Sequence, residues 1–287
     1  MKGAITITTA ICVAMLAVGV WAQAPTPRAL PLENLGLEHL DIVVPDTAAS
    51  ARFYARIFKT TLHQQPVRDT LRYFVVLGDV PADRQVGYVA IGAANGRPAV
   101  IGHYCVLAKT YSREGFASGL QAAGLPSAAT APGPIGMWPD PDGLELQLFQ
   151  PPAGLVTAAV PSPLPIDGQG IVAPIGVDHV MLDVANVDRS LSYYRAVYGP
   201  NLEGPREPSG RVWLRLERAT RLGLQPVTDG RKPSISHFAI KVRPFDRAAL
   251  TARLREAGAK ELPSADEPDV VRFLDNNGIT VELRVAS

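Results

Sequence analysis

The chain has 287 residues, of which 47% are hydrophobic and 19% charged, and its formal net charge is +1. This composition supplies enough apolar surface to bury cores and excludes a disordered chain. The length allows two domains of ~100 to 150 residues. The balanced charge excludes a basic surface for nucleic acid, so we expect a small-molecule partner. Association of identical chains stays open.

The first residues predict export. Lys2 precedes an apolar run at residues 10–21, and the small residues that follow are typical of a signal peptide cut after Ala22. The run is shorter than the ~20 residues of a membrane span, although an uncleaved anchor is the alternative. We predict a signal peptide at residues 1–22, a periplasmic or secreted product, and no membrane contact after cleavage.

Cleavage would also simplify the chemistry of the chain. It removes Lys2 and Cys12, which lowers the formal charge from +1 to 0 and leaves Cys105 as the single cysteine. No disulfide can form within such a chain. Stability must therefore come from buried cores.

An internal repeat organises the remainder of the chain. Residues 36–44 (GLEHLDIVV) match residues 176–184 (GVDHVMLDV), which aligns His39 with His179. In both copies a tyrosine follows the histidine by fifteen residues. A repeat with such a long period predicts two copies of one structural module.

Two further segments repeat in the same frame. Residues 101–107 match residues 235–241, which aligns His103 with His237. Each module then closes with a turn and an acidic strand, at 140–148 and at 275–283. The Pro- and Gly-rich residues 151–174 between the copies have the composition of a linker. We therefore predict a first module at 35–150 and a second at 175–287.

Local patterns give the elements of each module. The apolar runs at 37–44 and 177–184 predict strands, and alternating residues at 72–77 and 211–217 predict two more. Helices are predicted after Asp46 and after Asn186 or Asp188, and at residues 112–123 and 247–257, where Gly124 and Gly258 end them.

The histidine strands, the helices with an aromatic pair and the closing DPDG turn resemble the vicinal-oxygen-chelate superfamily. This superfamily includes glyoxalase I, extradiol dioxygenases and bleomycin-resistance proteins. The resemblance covers residues 35–285. It implies an α+β fold in which each module consists of two βαβββ units that form a curved mixed sheet around a pocket.

The resemblance also implies a metal site in the second module. Its ligands would be His179, His237 and Glu282, since Glu282 stands four residues after Gly278, where the family places its carboxylate. Two imidazoles and one carboxylate leave positions open for substrate on Fe, Mn, Zn or Ni as a divalent ion. The competing interpretation is that all three are ordinary half-buried polar residues.

The first module has a weaker set of donors. His39 and His103 stand at the equivalent positions, but the carboxylate is replaced by Gln147, and a neutral amide is a poorer ligand for a divalent cation. Glu145 would share the face of Gln147 and could substitute for it. A degenerate module is favoured over a weak second site.

The second module lacks the spare His and Tyr with which extradiol enzymes transfer protons. Gln225 or Glu217 could supply a fourth ligand of the glyoxalase kind, and Arg272 could hold an anionic substrate. We therefore expect an exported metal-dependent enzyme, either a dioxygenase or an isomerase or lyase, whose substrate chelates the metal through vicinal oxygens. The alternative is a metal-free protein that sequesters a small molecule.

Overall fold

In the computed structural model, the described residues are 30–79, 86–131, 136–151, 159–168, 170–264 and 267–286. The predicted signal peptide lies outside these ranges. Within them, the chain forms two sheets, one in each half. No described helix is long and apolar enough to cross a membrane.

The first half of the chain forms an eight-stranded sheet with two helices. Its elements are β1 (Asn34–Val44), α1 (Thr47–Ile57), β2 (Leu62–Val67), β3 (Thr70–Leu77), β4 (Gly87–Ala93), β5 (Val100–Ala108), α2 (Arg113–Ala122), β6 (Gly136–Pro139), β7 (Glu145–Phe149) and β8 (Val160–Pro161). The strand order is β6-β7-β5-β1-β4-β3-β2-β8. Parallel pairs β1–β4 and β5–β7 among antiparallel neighbours make the sheet mixed.

The second half repeats this plan in a seven-stranded sheet. Its elements are β9 (Ala173–Val184), α3 (Val187–Tyr198), β10 (Val212–Leu216), β11 (Thr220–Pro226), β12 (Ser234–Arg243), α4 (Arg247–Glu256), β13 (Lys260–Leu262), β14 (Val270–Leu274) and β15 (Thr280–Val285). The strand order is β10-β11-β9-β12-β15-β14-β13. The predicted α+β fold of two modules is confirmed.

The four units differ in their number of strands. The units that begin at β1 and β12 have three strands after the helix, as predicted, whereas those that begin at β5 and β9 have two in the part of the chain that is described. The strands that carry the predicted site are present in every unit. The repeat therefore preserves the centre of each sheet more closely than its edges.

Side-chain caps fix where the helices begin. Asp46 accepts a hydrogen bond from the backbone N–H of Ala49 at 2.9 Å, and Asn186 accepts one from that of Arg189 at 3.0 Å. Each cap satisfies an N–H group that has no partner within its helix. Of the two predicted starts of α3, the structure selects Asn186.

The predicted linker at 151–174 contains regular structure. Val160–Pro161 pairs with β2 at the edge of the first sheet, and Val172 forms a bridge to Phe58 at the end of α1. One buried apolar cluster contains residues from both modules. The segment between the modules is thus packed against the first of them.

Candidate metal centre

Three adjacent strands carry the predicted ligands of the second module. Ala239 on β12 pairs with His179 on β9 and with Glu282 on β15. His237 lies two residues before Ala239, and side chains two residues apart share one face of a strand. The register of β12 therefore brings all three side chains to one point of the sheet.

The donor atoms are spaced for one ion. His179 Nε2 lies 3.3 Å from His237 Nε2 and 3.6 Å from Glu282 Oε2, and His237 Nε2 lies 3.5 Å from Glu282 Oε1. Metal–ligand distances of ~2.1 Å place neighbouring donors ~3.0 to 3.5 Å apart in octahedral or tetrahedral sites. Three protein donors leave coordination positions for a substrate.

Asp178 orients the first histidine. Its Oδ1 lies 2.7 Å from His179 Nδ1 and accepts a hydrogen bond from Arg221 at 2.9 Å. Burial would raise the pKa of Asp178, but the hydrogen bonds of His179 and Arg221 outweigh burial and lower it. Asp178 thus holds the proton on Nδ1 and leaves the Nε2 lone pair for a metal.

The role of Asp178 was missed in the sequence, although a signal was present. In both modules an acidic residue directly precedes the first histidine, and in the first module Glu38 Oε2 lies 2.8 Å from His39 Nδ1. An acid–histidine dipeptide in both copies of the repeat indicates this pairing.

The histidines are neutral at physiological pH. Burial lowers the pKa of His179, and it lowers the pKa of His237 to about 3 despite the nearby charge of Glu282. A neutral imidazole is the form that binds metal. No deprotonation is therefore needed at neutral pH.

The carboxylate is balanced by two arginines. Arg272 donates from Nε to Glu282 Oε1 at 2.7 Å, and Arg284 donates from Nη1 to Oε2 at 3.3 Å. Burial would raise the pKa of Glu282, but the neighbouring His237 and His179, together with the charge and the hydrogen bond of Arg272, outweigh burial and lower it. Arg272, predicted to bind substrate, is thus a charge partner of Glu282, and the equivalent role of Arg284 was missed.

Gln225 does not reach this group of donors. Its Nε2 donates to Asp183 Oδ1 at 2.6 Å, and its Oε1 accepts from Arg211 at 3.1 Å. On β11 the residue paired with His179 is Arg221, so Gln225 lies four residues, or ~13 Å, further along the strand. Glu217 is exposed after the end of β10. Neither residue is placed as a fourth ligand.

The side chain of Trp213 packs beside the donors. The Trp213 ring meets the His179 ring edge to face, with centroids 5.0 Å apart. Arg221 lies over Trp213 at 4.7 Å and Arg211 at 5.8 Å, within the range of cation–π attraction. The two arginines over Trp213 therefore place positive charge beside the donor group.

The first module retains the two histidines but lacks the arginines that surround Glu282 in the second. His39 Nε2 lies 3.4 Å from His103 Nε2, and Gln147 pairs with Cys105 as Glu282 pairs with Ala239. The residues at the positions of Arg272 and Arg284 are apolar, namely Met137 and Phe149. The surroundings thus favour a neutral side chain at position 147.

Glu145 and Glu38 are the acidic residues of the first module considered as metal ligands, and neither occupies the position of Glu282. Glu145 pairs in register with His103 and accepts a hydrogen bond from Thr130 Oγ1 at 2.8 Å. Glu38, His39 and Cys105 place donor atoms within 4.8 Å of one another. Burial, with the charge of Glu38, raises the pKa of the Cys105 thiol, which disfavours the thiolate form that binds metal.

The buried histidines should make the metal-free protein acid-sensitive. Burial lowers the pKa of His103 and of His237 from 6.5 to about 3. Between these values the unfolded chain binds more protons than the folded one, so stability is complete above pH 6.5 and falls as the pH decreases. The slope should reach ~1.4 kcal/mol per pH unit for each histidine.

Urea unfolding of the metal-free protein from pH 7.5 to 4 measures this slope. A matched variant, His103→Gln, should have a smaller slope over that range, because only His179 and His237 then contribute through their lowered pKa values. A free energy of unfolding that does not change between pH 7 and pH 5 would contradict the expectation.

Known proteins resemble part of this chain in sequence. A family model described as a glyoxalase-like domain matches residues 179–283. The metallothiol transferase FosB of Shouchella clausii is 28% identical over 124 residues, which are 39% of this chain and 81% of that protein. The residues matched by the family model include the three donors His179, His237 and Glu282.

Solved structures resemble most of the chain, and two of them illustrate the likeness. The Mn(II)-bound glyoxalase from Novosphingobium aromaticivorans has a TM-score of 0.62 at 15% identity, over 88% of this chain and 83% of that one. The 2,3-dioxygenase LapB from Pseudomonas sp. KL28 has a TM-score of 0.64 at 16% identity, over 90% and 94%. At such identities the likeness shows the fold.

The donor group of His179, His237 and Glu282 has the chemistry of a divalent metal site, as predicted, and a solved structure of the same fold is Mn(II)-bound. The relative found by sequence is an enzyme, which supports the prediction of an enzyme in general terms. The chain thus has the two-module fold of the solved glyoxalase and 2,3-dioxygenase, and residues 179–283 in its second module match a glyoxalase-like domain.

Proposed function

We propose that this protein is a metal-dependent enzyme that binds a small molecule through two neighbouring oxygens at His179, His237 and Glu282. The observation that carries the proposal is the buried group of two neutral imidazoles and one carboxylate, with donor atoms 3.3 to 3.6 Å apart. A divalent ion in this group would act as a Lewis acid on the substrate oxygens.

The residues around the donors each have a defined task. Asp178 fixes the tautomer of His179, and Arg272 with Arg284 holds the Glu282 carboxylate in place. Preorganised donors of this kind lose little conformational entropy when they bind an ion. The donor set suits Fe, Mn, Zn or Ni, and its chemistry alone does not choose among them.

The available proton carriers favour an isomerase, lyase or group-transfer reaction. Both histidines of the second module are in the donor group, and its tyrosines, Tyr193, Tyr194 and Tyr198, are buried in α3. Ring cleavage of the extradiol kind needs further proton-transfer groups beside the metal. Similarity to a metallothiol transferase also supports a reaction without ring cleavage.

A ring-cleaving dioxygenase is the second candidate. The architecture of two modules in one chain, shared with LapB over 94% of that protein, supports it. Oxygen consumption by the Fe(II)-loaded protein with catechols separates the two candidates. A metal-free sequestering protein is the rival from another class, and it would use the same face of the second sheet to enclose a ligand.

Metal loading should stabilise the protein. An ion present at ~1,000 times its Kd adds about 4 kcal/mol to the free energy of unfolding, which corresponds to a rise in Tm on the order of 10 °C for a chain of this size. Differential scanning calorimetry with EDTA, and then with excess Mn(II), Zn(II), Ni(II) or Fe(II), measures the shift. An unchanged Tm with all four ions would favour the metal-free rival.

Export is also part of the proposal. The pattern of residues 1–22 supports a signal peptide that is removed after Ala22, so that the mature chain begins at Gln23 and works in the periplasm or outside the cell. The intact mass of the protein from the periplasmic fraction tests the cleavage. A mass that includes residues 1–22 would indicate an anchored form.

A further inference from the structure

Each closing turn is held by a tyrosine from the other module. Tyr54 of α1 donates from Oη to Asp275 Oδ2 at 2.9 Å, and Tyr194 of α3 donates to Asp140 Oδ2 at 2.9 Å. Both tyrosines are fully buried, and the two aspartates are nearly so. A buried carboxylate that loses its donor is costly, so the two pairs fasten each turn firmly to the neighbouring helix.

Asp275 in turn organises the hairpin of β14 and β15. Its Oδ1 accepts hydrogen bonds from the backbone N–H groups of Asn277 at 2.7 Å and Ile279 at 2.9 Å. Asn277 Nδ2 donates to Ser50 Oγ of α1 at 2.6 Å, which is a second link between the turn and that helix. The turn therefore depends on α1 of the first module for its position.

This hairpin carries the acidic donor and both of its arginines, Arg272 and Arg284. Arg272 on β14 pairs in register with Glu282 on β15, and the turn that joins the two strands sets this register. His179 lies on β9 and His237 on β12, outside this hairpin. A displaced turn would therefore shift Glu282 relative to both histidines. Donor positions in a metal site tolerate shifts of only a few tenths of an ångström.

We propose that Tyr54 is a positioning residue for the metal site of the second module, acting through Asp275 on the Glu282 hairpin. This inference rests on the proposed function. On this proposal the first module contributes to the metal site without binding a metal itself, because its helix α1 holds the hairpin that carries Glu282.

The chain itself provides a matched control for the test. Tyr54→Phe removes the hydroxyl that holds the Glu282 hairpin, whereas Tyr194→Phe removes the equivalent hydroxyl from the hairpin of Gln147. Co(II) binding, followed by calorimetry and visible absorption, should weaken about 10-fold in Tyr54→Phe, the loss typical of a disturbed outer-shell partner. In Tyr194→Phe it should stay within about twofold of wild type, even where both variants lose similar amounts of Tm.

Hydrogen exchange gives a readout that is independent of the metal. In the metal-free protein, Tyr54→Phe should speed exchange of the amides at 279–283, and Tyr194→Phe should speed exchange at 144–148. If Tyr54→Phe fails to fold, Ser50→Ala breaks the second link to the same turn and should change Co(II) affinity and exchange in the same direction by less.

Wild-type affinity for Co(II) in Tyr54→Phe, or equal weakening in both tyrosine variants, would overturn the positioning role while the metal site stands. Wild-type protein that takes up no Co(II) would instead overturn the proposed function, and the positioning role with it. Unchanged exchange at 279–283 in Tyr54→Phe would contradict the route through Asp275.

Discussion

Replacing Glu282 by Gln should reduce the bound divalent metal from about one ion per chain to less than about a tenth. The substitution keeps the size and shape of the side chain but removes its charge. It also gives the second module the donor set of the first, two histidines and an amide. Elemental mass spectrometry of protein dialysed against Mn(II) or Zn(II) measures the content.

The size of this effect follows from the surroundings of the carboxylate. Glu282 is buried and is the only acidic member of the donor group His179, His237 and Glu282. Two neutral imidazoles and an amide leave both charges of the ion uncompensated at a buried position. Arg272 and Arg284 also lose their buried carboxylate partner and repel the ion.

Glu267→Gln is the matched control for this experiment. Glu267 pairs with Arg272 at 3.3 Å and with Arg284 at 3.5 Å, but it lies outside the donor group. The control therefore removes one carboxylate from the same arginines and should leave the metal content unchanged. Full metal content in Glu282→Gln would refute the ligand assignment, and a loss in both variants would attribute the effect to the arginines.

The reverse substitution, Gln147→Glu, should create a second metal site in the first module. His39 Nε2 and His103 Nε2 are already 3.4 Å apart, close to the 3.3 Å of the second module. Gln147 stands where Glu282 stands in the other sheet. The metal content should therefore rise from about one to about two ions per chain.

Without metal the same variant should be less stable than wild type. The new carboxylate would be buried beside Met137 and Phe149, where the second module has Arg272 and Arg284, so it lacks a cationic partner. We expect a loss of about 1–3 kcal/mol in the free energy of unfolding, which saturating Zn(II) reverses. Urea unfolding with and without Zn(II) measures both effects.

The variant Glu145→Gln distinguishes the contribution of residue 145 to metal binding from that of residue 147. Because Glu145 accepts from Thr130 and pairs in register with His103, its removal should leave the metal content unchanged. If Gln147→Glu gains no ion, the histidine pair of the first module is not a usable site. If the wild type already holds two ions, the prediction of a degenerate first module is wrong.

The sequence by itself determined the repeat, the two-module α+β fold and the candidate donors. The internal repeat aligned the histidines, and the resemblance to the vicinal-oxygen-chelate superfamily indicated Glu282, because the family places its carboxylate four residues after the glycine of the closing turn, here Gly278. Helix starts were also predictable, since Asp46 and Asn186 cap the chain segments that follow them directly.

Tertiary structure decided which partner each polar residue has. Arg272, which was expected to bind an anionic substrate, donates a hydrogen bond to Glu282, because the β14–β15 register sets these two residues opposite each other. Gln225 was considered as a ligand but lies with Asp183, since β11 pairs Arg221 with His179. Register between strands distant in sequence depends on the packing of whole sheets, so periodicity along one strand cannot reveal it.

The contacts between modules were beyond the sequence for the same reason. The tyrosine that follows each histidine by fifteen residues was visible in both copies of the repeat. Its partner is an aspartate in the other copy, 221 residues away for Tyr54 and Asp275. Only the packing of one module against the other could join them, and that packing makes the repeat one interlocked protein.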